Sequence, residues 1–249
     1  SANAYRNNNE ELNVYSKFDH IIFCSESAKK AFDKTLKNNF CNKEVIYSLT
    51  YSSFCKRYAQ LQQFQMRKPY FLVLSRYSPQ KGLDRLIKAA KLLKAQNIPF
   101  EIIIVGKGEL ENDLKELITS YNLTNEVYLI PAIPNPFPYF KNCLSYVSPS
   151  YTESFGVALQ EALCMHVPVI ACDTSGTREV LQNGLFGEID DPSEYALADA
   201  MKKCILDPNY VKILKNKSAR GAAYWNEWTP ISKKKLENLL SPYSCIQNK

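Results

Sequence analysis

Residues 71–93 read FLVLSRYSPQKGLDRLIKAAKLL, and this stretch decides the fold class. An apolar run typical of a buried strand is followed by a polar loop and then by a helix pattern with apolar residues on one face and lysines on the other. The alternation continues to residue 189, and the strand candidates are Phe71–Leu74, Glu101–Val105, Val127–Ile130, Leu144–Val147, Val167–Ala171 and Leu185–Ile189. Apolar strands separated by helices predict an α/β fold in which a doubly wound parallel sheet is covered on both faces.

The sequence before residue 66 does not start another sheet of this kind. It offers one strand (Phe18–Cys24), one helix (Ser27–Lys37) and a short strand (Val45–Tyr47), followed by the glutamine-rich stretch Gln60–Lys68. We therefore expect residues 1–65 to be a partial βα unit, the remnant of a preceding N-terminal domain, together with a linker.

The sequence after residue 206 contains two helix patterns, Tyr210–Ala223 and Ile231–Leu240. Pro230 lies between them and is expected to break the helix, because proline lacks the backbone N–H group. Helices that follow a finished sheet commonly pack on a neighbour. Residues 66–206 are thus expected to form the central domain, and residues 207–249 to be trailing helices that pack back toward the N-terminal domain.

Composition excludes disorder and fibrous repeats, because 45% of the 249 residues are hydrophobic and 22% are charged. The net charge of +6 is concentrated at the two ends, since residues 71–190 carry 10 basic and 13 acidic side chains. The basic residues of the central domain form no stripe with interleaved aromatics, so nucleic-acid binding is not predicted. The run Lys233-Lys234-Lys235 is compatible with peripheral contact to anionic lipid or with an ordinary solvated helix face.

The eight cysteines include no C-x-x-C pair, and only His20 and His166 could complete a zinc site. Several cysteines lie in apolar runs, such as Cys24 and Cys164, which favours buried, reduced thiols and a cytoplasmic protein. No run approaches the roughly 20 apolar residues that span a bilayer, and no signal peptide is recognisable. The start Ser1-Ala2-Asn3-Ala4 without methionine resembles a cloning remnant, so we expect an excised piece of a longer protein.

Several catalytic signatures are absent. Gly106-Lys107-Gly108 follows a strand, but the third glycine of the dinucleotide fingerprint falls at Glu111, which argues against a nicotinamide or flavin cofactor. The sequence has neither a Walker A lysine after a glycine-rich loop nor a G-x-S-x-G elbow. Two histidines supply little material for a histidine-based triad.

The loop Ser75–Gly82 is the first candidate site. It brings Arg76 and Lys81 to the carboxyl end of a central strand, beside the amino end of a helix whose partial positive charge attracts anions. Arginine binds phosphate through paired hydrogen bonds and lysine as a point charge, so the loop suits a diphosphate. The alternative is a solvated turn with two ordinary surface charges.

The segment Pro149–Leu163 is the second candidate site. Glu153 lies in a loop, Ser154 is the expected N-cap of the following helix, and Glu161 is expected about two turns inside that helix among apolar and small residues. A carboxylate there needs hydrogen-bond donors, and the hydroxyl groups of a ribose or sugar are suitable. The alternative is an ordinary surface glutamate. The nearby N–H groups of Ser154, Phe155 and Gly156 favour a binding site.

These motifs together carry a resemblance. Glu153 and Glu161 form an E-x7-E pattern downstream of R-x4-K at Arg76 and Lys81, and the remaining motifs are V-G-x-G at Val105–Gly108, Pro-Val-Ile-Ala at 168–171 and Ser175-Gly176-Thr177-Arg178-Glu179. The sequence resembles the carboxyl-terminal, Rossmann-like nucleotide-sugar domain of family-4 retaining glycosyltransferases of the GT-B fold. The resemblance is good over residues 70–206 and weaker in the flanks.

The resemblance implies a role for each site residue. Arg76 and Lys81 would contact the donor diphosphate and, with Glu153 at the donor sugar, form the catalytic set. Donor binding would also involve the amides of Ser154, Phe155 and Gly156, the ribose-binding Glu161, and Gly106, which would let backbone approach the nucleotide. The Ile130–Pro134 segment would lie near the base. No metal ion and no cofactor are expected, in agreement with the absence of a D-x-D motif.

The resemblance also implies the partners. The donor would be a nucleotide-diphosphate sugar, with UDP- or GDP-sugar preferred, and the acceptor a saccharide or a lipid-linked saccharide in polysaccharide or glycolipid assembly. The protein would then act in the cytoplasm or at the inner face of the membrane. A fragment without its N-terminal domain would bind the donor without turning it over. A non-catalytic nucleotide-sugar-binding module and another GT-B enzyme, such as a sugar-nucleotide epimerase, remain alternatives.

Two positions depart from the pattern of this family. Ser75 stands where the family often has glycine, which would hinder backbone approach at the phosphate. His166 replaces the glycine that commonly ends the helix before Pro168, and we interpret it as structural.

Overall fold

The computed structural model of the protein describes residues 13–36, 41–64, 66 and 68–241. At its N-terminal end, strand β1 (His20–Phe23) pairs in parallel with β2 (Asn42–Val45) in a two-stranded sheet. Helix α1 (Glu26–Leu36) connects them and buries Phe32 and Leu36 against Phe23. The strand expected at 45–47 therefore begins three residues earlier, at a polar sequence that only the pairing with β1 makes extended.

The main sheet has six parallel strands, which confirms the predicted fold class. Each predicted strand is present, with bounds shifted by at most three residues. The strands are β3 (Tyr70–Leu74), β4 (Glu101–Gly106), β5 (Val127–Pro131), β6 (Ser145–Ser148), β7 (Val169–Cys172) and β8 (Glu188–Asp190). Their order is β5-β4-β3-β6-β7-β8, so the direction of winding reverses between β3 and β6.

Helices cover both faces of this sheet because alternate strand residues point to opposite sides. They are α2 (Ser52–Ala59), α3 (Leu83–Ala95), α4 (Glu111–Ser120), α5 (Phe137–Phe140), α6 (Val157–Cys164), α7 (Ser175–Val180), α8 (Glu194–Leu206) and α9 (Pro208–Leu240). Phe71 and Val73 face a core formed with α3, α4 and α8. Tyr70 and Leu72 face the opposite core, formed with α2, α5, α6 and Trp225 of α9.

Helix α9 runs without interruption through Pro230, so the predicted break was wrong. The ring removes one helical hydrogen bond, but contacts on both sides of it hold the helix together. On one side, Trp225 is buried and its indole N–H donates to the Val180 carbonyl at 3.0 Å. Beyond the proline, the Lys235 ammonium donates to the Val45 carbonyl of β2 at 3.2 Å.

The cysteines in the described part of the chain are free thiols, and five of them are buried as expected: Cys55, Cys143, Cys164, Cys172 and Cys204. Cys24 is exposed, contrary to the prediction, because alternation along β1 turns Phe23 inward and its neighbour outward. Cys245 lies outside the described residues. Within the described ranges, no helix is both long and apolar enough to cross a membrane.

Candidate functional site

The candidate site lies where the order of the six strands reverses, at the carboxyl ends of β3 and β6. In open α/β sheets this switch point is the usual ligand-binding crevice, because the loops from the two strands leave in opposite directions. β3 ends at Leu74 and leads into Ser75 and Arg76, whereas β6 ends at Ser148 and leads into the loop that carries Glu153. Two cavities open here, and Ser75 and Arg76 line both of them.

The first cavity, which we call the Glu153 cavity, has a volume of about 350 Å³ and is lined by Arg76, Lys81, Glu153, Cys24 and residues 154–156. The Lys81 ammonium lies 2.6 Å from a Glu153 carboxylate oxygen. Both side chains are largely buried, at 22% and 15% exposure. Arg76 is exposed, and among the described residues its side chain makes no hydrogen bond or ion pair. One cation is therefore neutralised and one is free at the rim.

The second cavity, the Glu161 cavity, has a volume of about 330 Å³ and is lined by Arg76, Gly106, Ile133, Pro136 and Glu161. The Glu161 carboxyl group makes no hydrogen bond within the described part of the chain. Burial raises the pKa of its carboxyl to about 7. A buried carboxyl group that faces a cavity and has no hydrogen-bond partner of its own is suited to a ligand that supplies hydroxyl groups.

The loop between the two glutamates differs from the prediction at Ser154. Gly156, with φ of 100°, is the N-cap of α6, and the helix begins at Val157. Ser154 is therefore not the cap, and Glu161 lies about one turn inside the helix. Only glycine adopts this left-handed conformation without strain, so the start of the helix falls after it.

The predicted donor-binding loop is anchored on both sides. The Ser154 carbonyl accepts a hydrogen bond from the Ser25 hydroxyl at 2.6 Å, and the Glu153 carbonyl accepts one from the Gly176 N–H at 3.0 Å. The Phe155 ring is buried and packs edge-on against Trp225, so its side chain belongs to the core.

Gly106 is required by packing. A Cβ atom at this position would lie 1.9 Å from the Ser75 carbonyl oxygen, so no side chain fits between the ends of β4 and β3. The close approach seen here is between Gly106 and protein backbone. The residue also lines the Glu161 cavity, where the resemblance placed the nucleotide.

Residues 56–221 match the family described as glycosyl transferases group 1. The chain belongs to this family. It is 33% identical over 180 residues to an uncharacterized glycosyltransferase from Methanocaldococcus jannaschii, covering 67% of this chain and 43% of the relative. It is 27% identical over 214 residues to the capsular polysaccharide biosynthesis glycosyltransferase CapM of Staphylococcus aureus, covering 80% and 55%.

Solved structures of glycosyltransferases share the fold of this chain. A glycosyltransferase from Rickettsia africae aligns with a TM-score of 0.77 at 20% identity, covering 97% of this chain and 69% of that protein. Anabaena HepE, solved in complex with UDP, aligns with a TM-score of 0.77 at 22% identity, covering 97% and 70%. The chain spans about half the length of the curated relatives it matches.

Two departures from the family pattern can be placed in this fold. Ser75 lines both cavities, and its hydroxyl donates to the carbonyl of the next residue at 3.3 Å. His166 has a left-handed φ of 58° just after α6, and its ring Nε2 lies 3.2 Å from the Lys56 ammonium nitrogen. It lines neither of the two cavities. It thus fills the helix-ending position of the usual glycine.

Sequence reasoning missed Glu179 as a residue that supports the site. Its carboxylate accepts hydrogen bonds from the backbone N–H groups of Glu26 and Ser27, at 2.7 and 2.9 Å, and from the Tyr47 hydroxyl at 3.0 Å. It therefore fixes the amino end of α1 beside the Ser154 carbonyl. These partners lie more than 130 residues away in sequence, and nothing in the local pattern points to them.

Proposed function

We propose that this chain contains the donor-binding half of a retaining glycosyltransferase, which transfers a sugar from a nucleotide-diphosphate sugar to a saccharide or lipid-linked acceptor. The observation that carries the proposal is the position of Arg76 and Lys81 after β3. On one side the Lys81 ammonium lies 2.6 Å from the Glu153 carboxylate, and on the other side lies the Glu161 carboxyl group, which has no partner among the described residues. Cations on one side and a donor-seeking carboxyl group on the other match a diphosphate joined to a ribose.

Arg76 and Lys81 act on the diphosphate in this proposal. The leaving nucleoside diphosphate gains negative charge as the glycosidic bond breaks, so fixed cations stabilise the transition state more than the bound donor. Removal of one such group typically costs about 3–4 kcal/mol of transition-state stabilisation. Arg76 can turn to the phosphates freely, whereas Lys81 must share its charge with Glu153.

Glu161 accepts the ribose hydroxyls in this proposal, and Glu153 lies at the donor sugar with the amides of residues 154–156. Glu153 is paired with Lys81 and is assigned to sugar binding. It is not assigned as a covalent nucleophile, because the family that the sequence resembles has no established enzyme nucleophile. Retention of configuration and independence from metal ions follow from the family resemblance and belong to the proposal.

The names of relatives indicate the substrates to test. CapM is named for capsular polysaccharide biosynthesis, and a Campylobacter jejuni relative, 28% identical over 184 residues, is named for transfer to a diphospho-undecaprenol-linked saccharide. HepE has been crystallised with UDP. UDP is therefore the first donor nucleotide to test, followed by GDP. We further propose that β1, α1 and β2 belong to a second, acceptor-binding domain and that turnover requires it.

A thermal-shift titration of the chain with UDP and GDP tests the donor site. A nucleotide at about 100 times its dissociation constant stabilises the folded state by about 2.7 kcal/mol, which raises the melting temperature by several degrees. Arg76→Ala and Glu161→Ala should reduce the shift, whereas the matched surface variants Arg57→Ala and Glu116→Ala should retain it. Absence of a shift with both nucleotides, or equal shifts in all four variants, would contradict the proposal.

A further inference from the structure

Arg85 is an unusual residue to find beneath this site. It lies in the first turn of α3 and is only 5% exposed, yet no carboxylate in the described part of the chain forms an ion pair with it. Burial of a cation is costly unless other groups replace its water. Its guanidinium donates to the Pro149 carbonyl at 3.1 Å and lies over the Tyr151 ring, 4.0 Å from the ring centre. A carbonyl dipole and an aromatic face, both from the loop after β6, thus stabilise the cation, and the Cys172 side chain of β7 also lies close to it.

Tyr151 is held at further points by the loop after β3 and the start of α3. Its hydroxyl donates to the Asp84 carboxylate at 3.0 Å, and its backbone N–H donates to the Gln80 carbonyl at 2.9 Å. The backbone N–H of Thr152 reaches the same carbonyl at 3.3 Å. The two loops therefore meet along their backbones as well as through side chains.

Gly82 allows this close contact. It has a left-handed φ of 61°, and a Cβ atom there would lie 2.1 Å from the Pro149 carbonyl oxygen. The carbonyl that leaves no room for a side chain at Gly82 is the one that Arg85 binds. A shift of the loop after β6 would thus break the Arg85 contact and the Gly82 packing together.

The positions joined by these contacts directly flank the two charges of the Glu153 cavity. Lys81 stands between Gln80 and Gly82, and Glu153 follows Thr152. We propose that Arg85 and Tyr151 are positioning residues that set the separation of Lys81 and Glu153, and with it the geometry of the diphosphate site. This inference rests on the proposed function, because the diphosphate is the ligand whose binding it affects.

Arg85 and Tyr151, together called the clamp, should affect binding of the diphosphate part of the donor and not of its nucleoside part. Glu161, Ile133 and Pro136, which line the cavity assigned to the nucleoside, make none of the contacts that hold Arg85 and Tyr151. Loosening the clamp should therefore weaken binding of a nucleoside diphosphate and leave the nucleoside alone unaffected. A role in folding alone would weaken both ligands together or neither.

Calorimetric titration of the chain with UDP and uridine, or with GDP and guanosine if GDP is the nucleotide that binds, tests this inference. Tyr151→Ala should weaken diphosphate binding about tenfold and change nucleoside binding less than twofold. Tyr151→Phe keeps the ring over Arg85 and should recover most of the loss. Tyr195→Ala, an exposed tyrosine on α8, is the matched control and should bind both ligands as the wild type does.

Two results would overturn the inference: diphosphate binding by Tyr151→Ala that equals the wild type, or equal loss of diphosphate and nucleoside binding. Arg85→Met, if it folds, should show the same selective loss as Tyr151→Ala, and unchanged diphosphate binding by this folded variant would also count against the clamp. If the wild type binds neither UDP nor GDP, the proposed function fails first, and this assignment fails with it.

Discussion

Glu153 and Glu161 come from one motif and lie in the two cavities that Arg76 lines, yet their carboxyl groups have different partners. The Glu153 carboxylate has an ammonium group at 2.6 Å, whereas the Glu161 carboxyl group has no hydrogen-bond partner among the described residues and a pKa of about 7. The carboxylate of the first cavity therefore has a counter-ion within the protein, and the carboxyl group of the second cavity does not. Residue type alone therefore does not define a binding carboxylate, because the neighbouring groups decide the free-energy cost of burying its charge.

The largest effect expected from this contrast is on stability, through Glu161→Gln. Because burial raises the pKa of Glu161 from 4.5 to about 7, its contribution to stability is fully present below pH 4.5 and is lost as pH rises through 7. The loss amounts to about 3 kcal/mol, at about 1.36 kcal/mol per pKa unit. Urea unfolding should show the variant more stable than wild type by up to that amount at pH 8 and closely similar at pH 4.5.

The difference in the free energy of unfolding between Glu161→Gln and the wild type reports on the Glu161 carboxyl group alone. Burial also raises the pKa of Asp190 to about 6, but that carboxyl is present in both proteins. Glu116→Gln changes an exposed glutamate and should follow the wild type at every pH. If the stability curves of Glu161→Gln and wild type run parallel from pH 4.5 to 8, Glu161 does not carry the buried charge assigned to it.

Lys81→Ala addresses the other cavity. Loss of a charge-assisted hydrogen bond to phosphate should weaken UDP binding by about 1.5–3 kcal/mol, or roughly 10- to 150-fold, and leave uridine binding unchanged. Calorimetric titration measures both ligands. Lys115→Ala removes an exposed lysine and serves as the control, and Lys81→Ala combined with Glu153→Gln shows how much of the loss comes from the unpaired carboxylate. Equal weakening of uridine would show that the two cavities do not act separately.

The pH dependence of uridine binding sharpens the contrast further. Ribose hydroxyls that donate to Glu161 favour its charged form, so binding should strengthen as pH rises through the pKa of about 7. The expected gain between pH 6 and pH 8 is about tenfold, because roughly one-tenth of the carboxyl is ionised at pH 6. Titrations in Glu161→Gln should show no such dependence. A pH profile that survives this substitution would assign the proton to another group.

Glu153→Gln should have the smallest effect, and in the opposite direction to Lys81→Ala. Removing the carboxylate frees Lys81 and removes a negative charge beside the phosphates. Since Arg76 and Lys81 both remain and only competition from one carboxylate is lost, UDP should bind about threefold more tightly. A marked loss of UDP affinity would mean that Glu153 itself holds the nucleotide.

The fold was accessible from the sequence because its signals are local. The short apolar runs at Phe71–Leu74 and Glu101–Val105 are recognisable from their own residues and the polar loops beside them, and the helix face from Leu83 to Leu93 needs only its own periodicity. The continuous α9 was not predictable in this way. Pro230 is unfavourable locally, and only packing on both sides keeps it within a helix.

The candidate site was accessible only in part. Arg76, Lys81, Glu153 and Glu161 were named from the pattern, and the structure places all four around the two cavities. The ion pair between Lys81 and Glu153 depends on two loops that meet across 72 residues of sequence, which no periodicity encodes. The supporting contacts of Arg85 and Glu179 are missing from the prediction for the same reason.

Helix α9 also sets a mechanical condition on the molecule. Its 33 residues extend about 50 Å. The helix is held to the main domain by the bond from Trp225 to Val180 and to β2 by the bond from Lys235 to Val45. A rotation of the two-stranded sheet against the main sheet would therefore bend this helix or break these contacts, together with the contacts of Ser25 and Glu179 described above. Pro230 lies between Trp225 and Lys235, and because the helix lacks an internal hydrogen bond there, this is where it bends at the lowest energy.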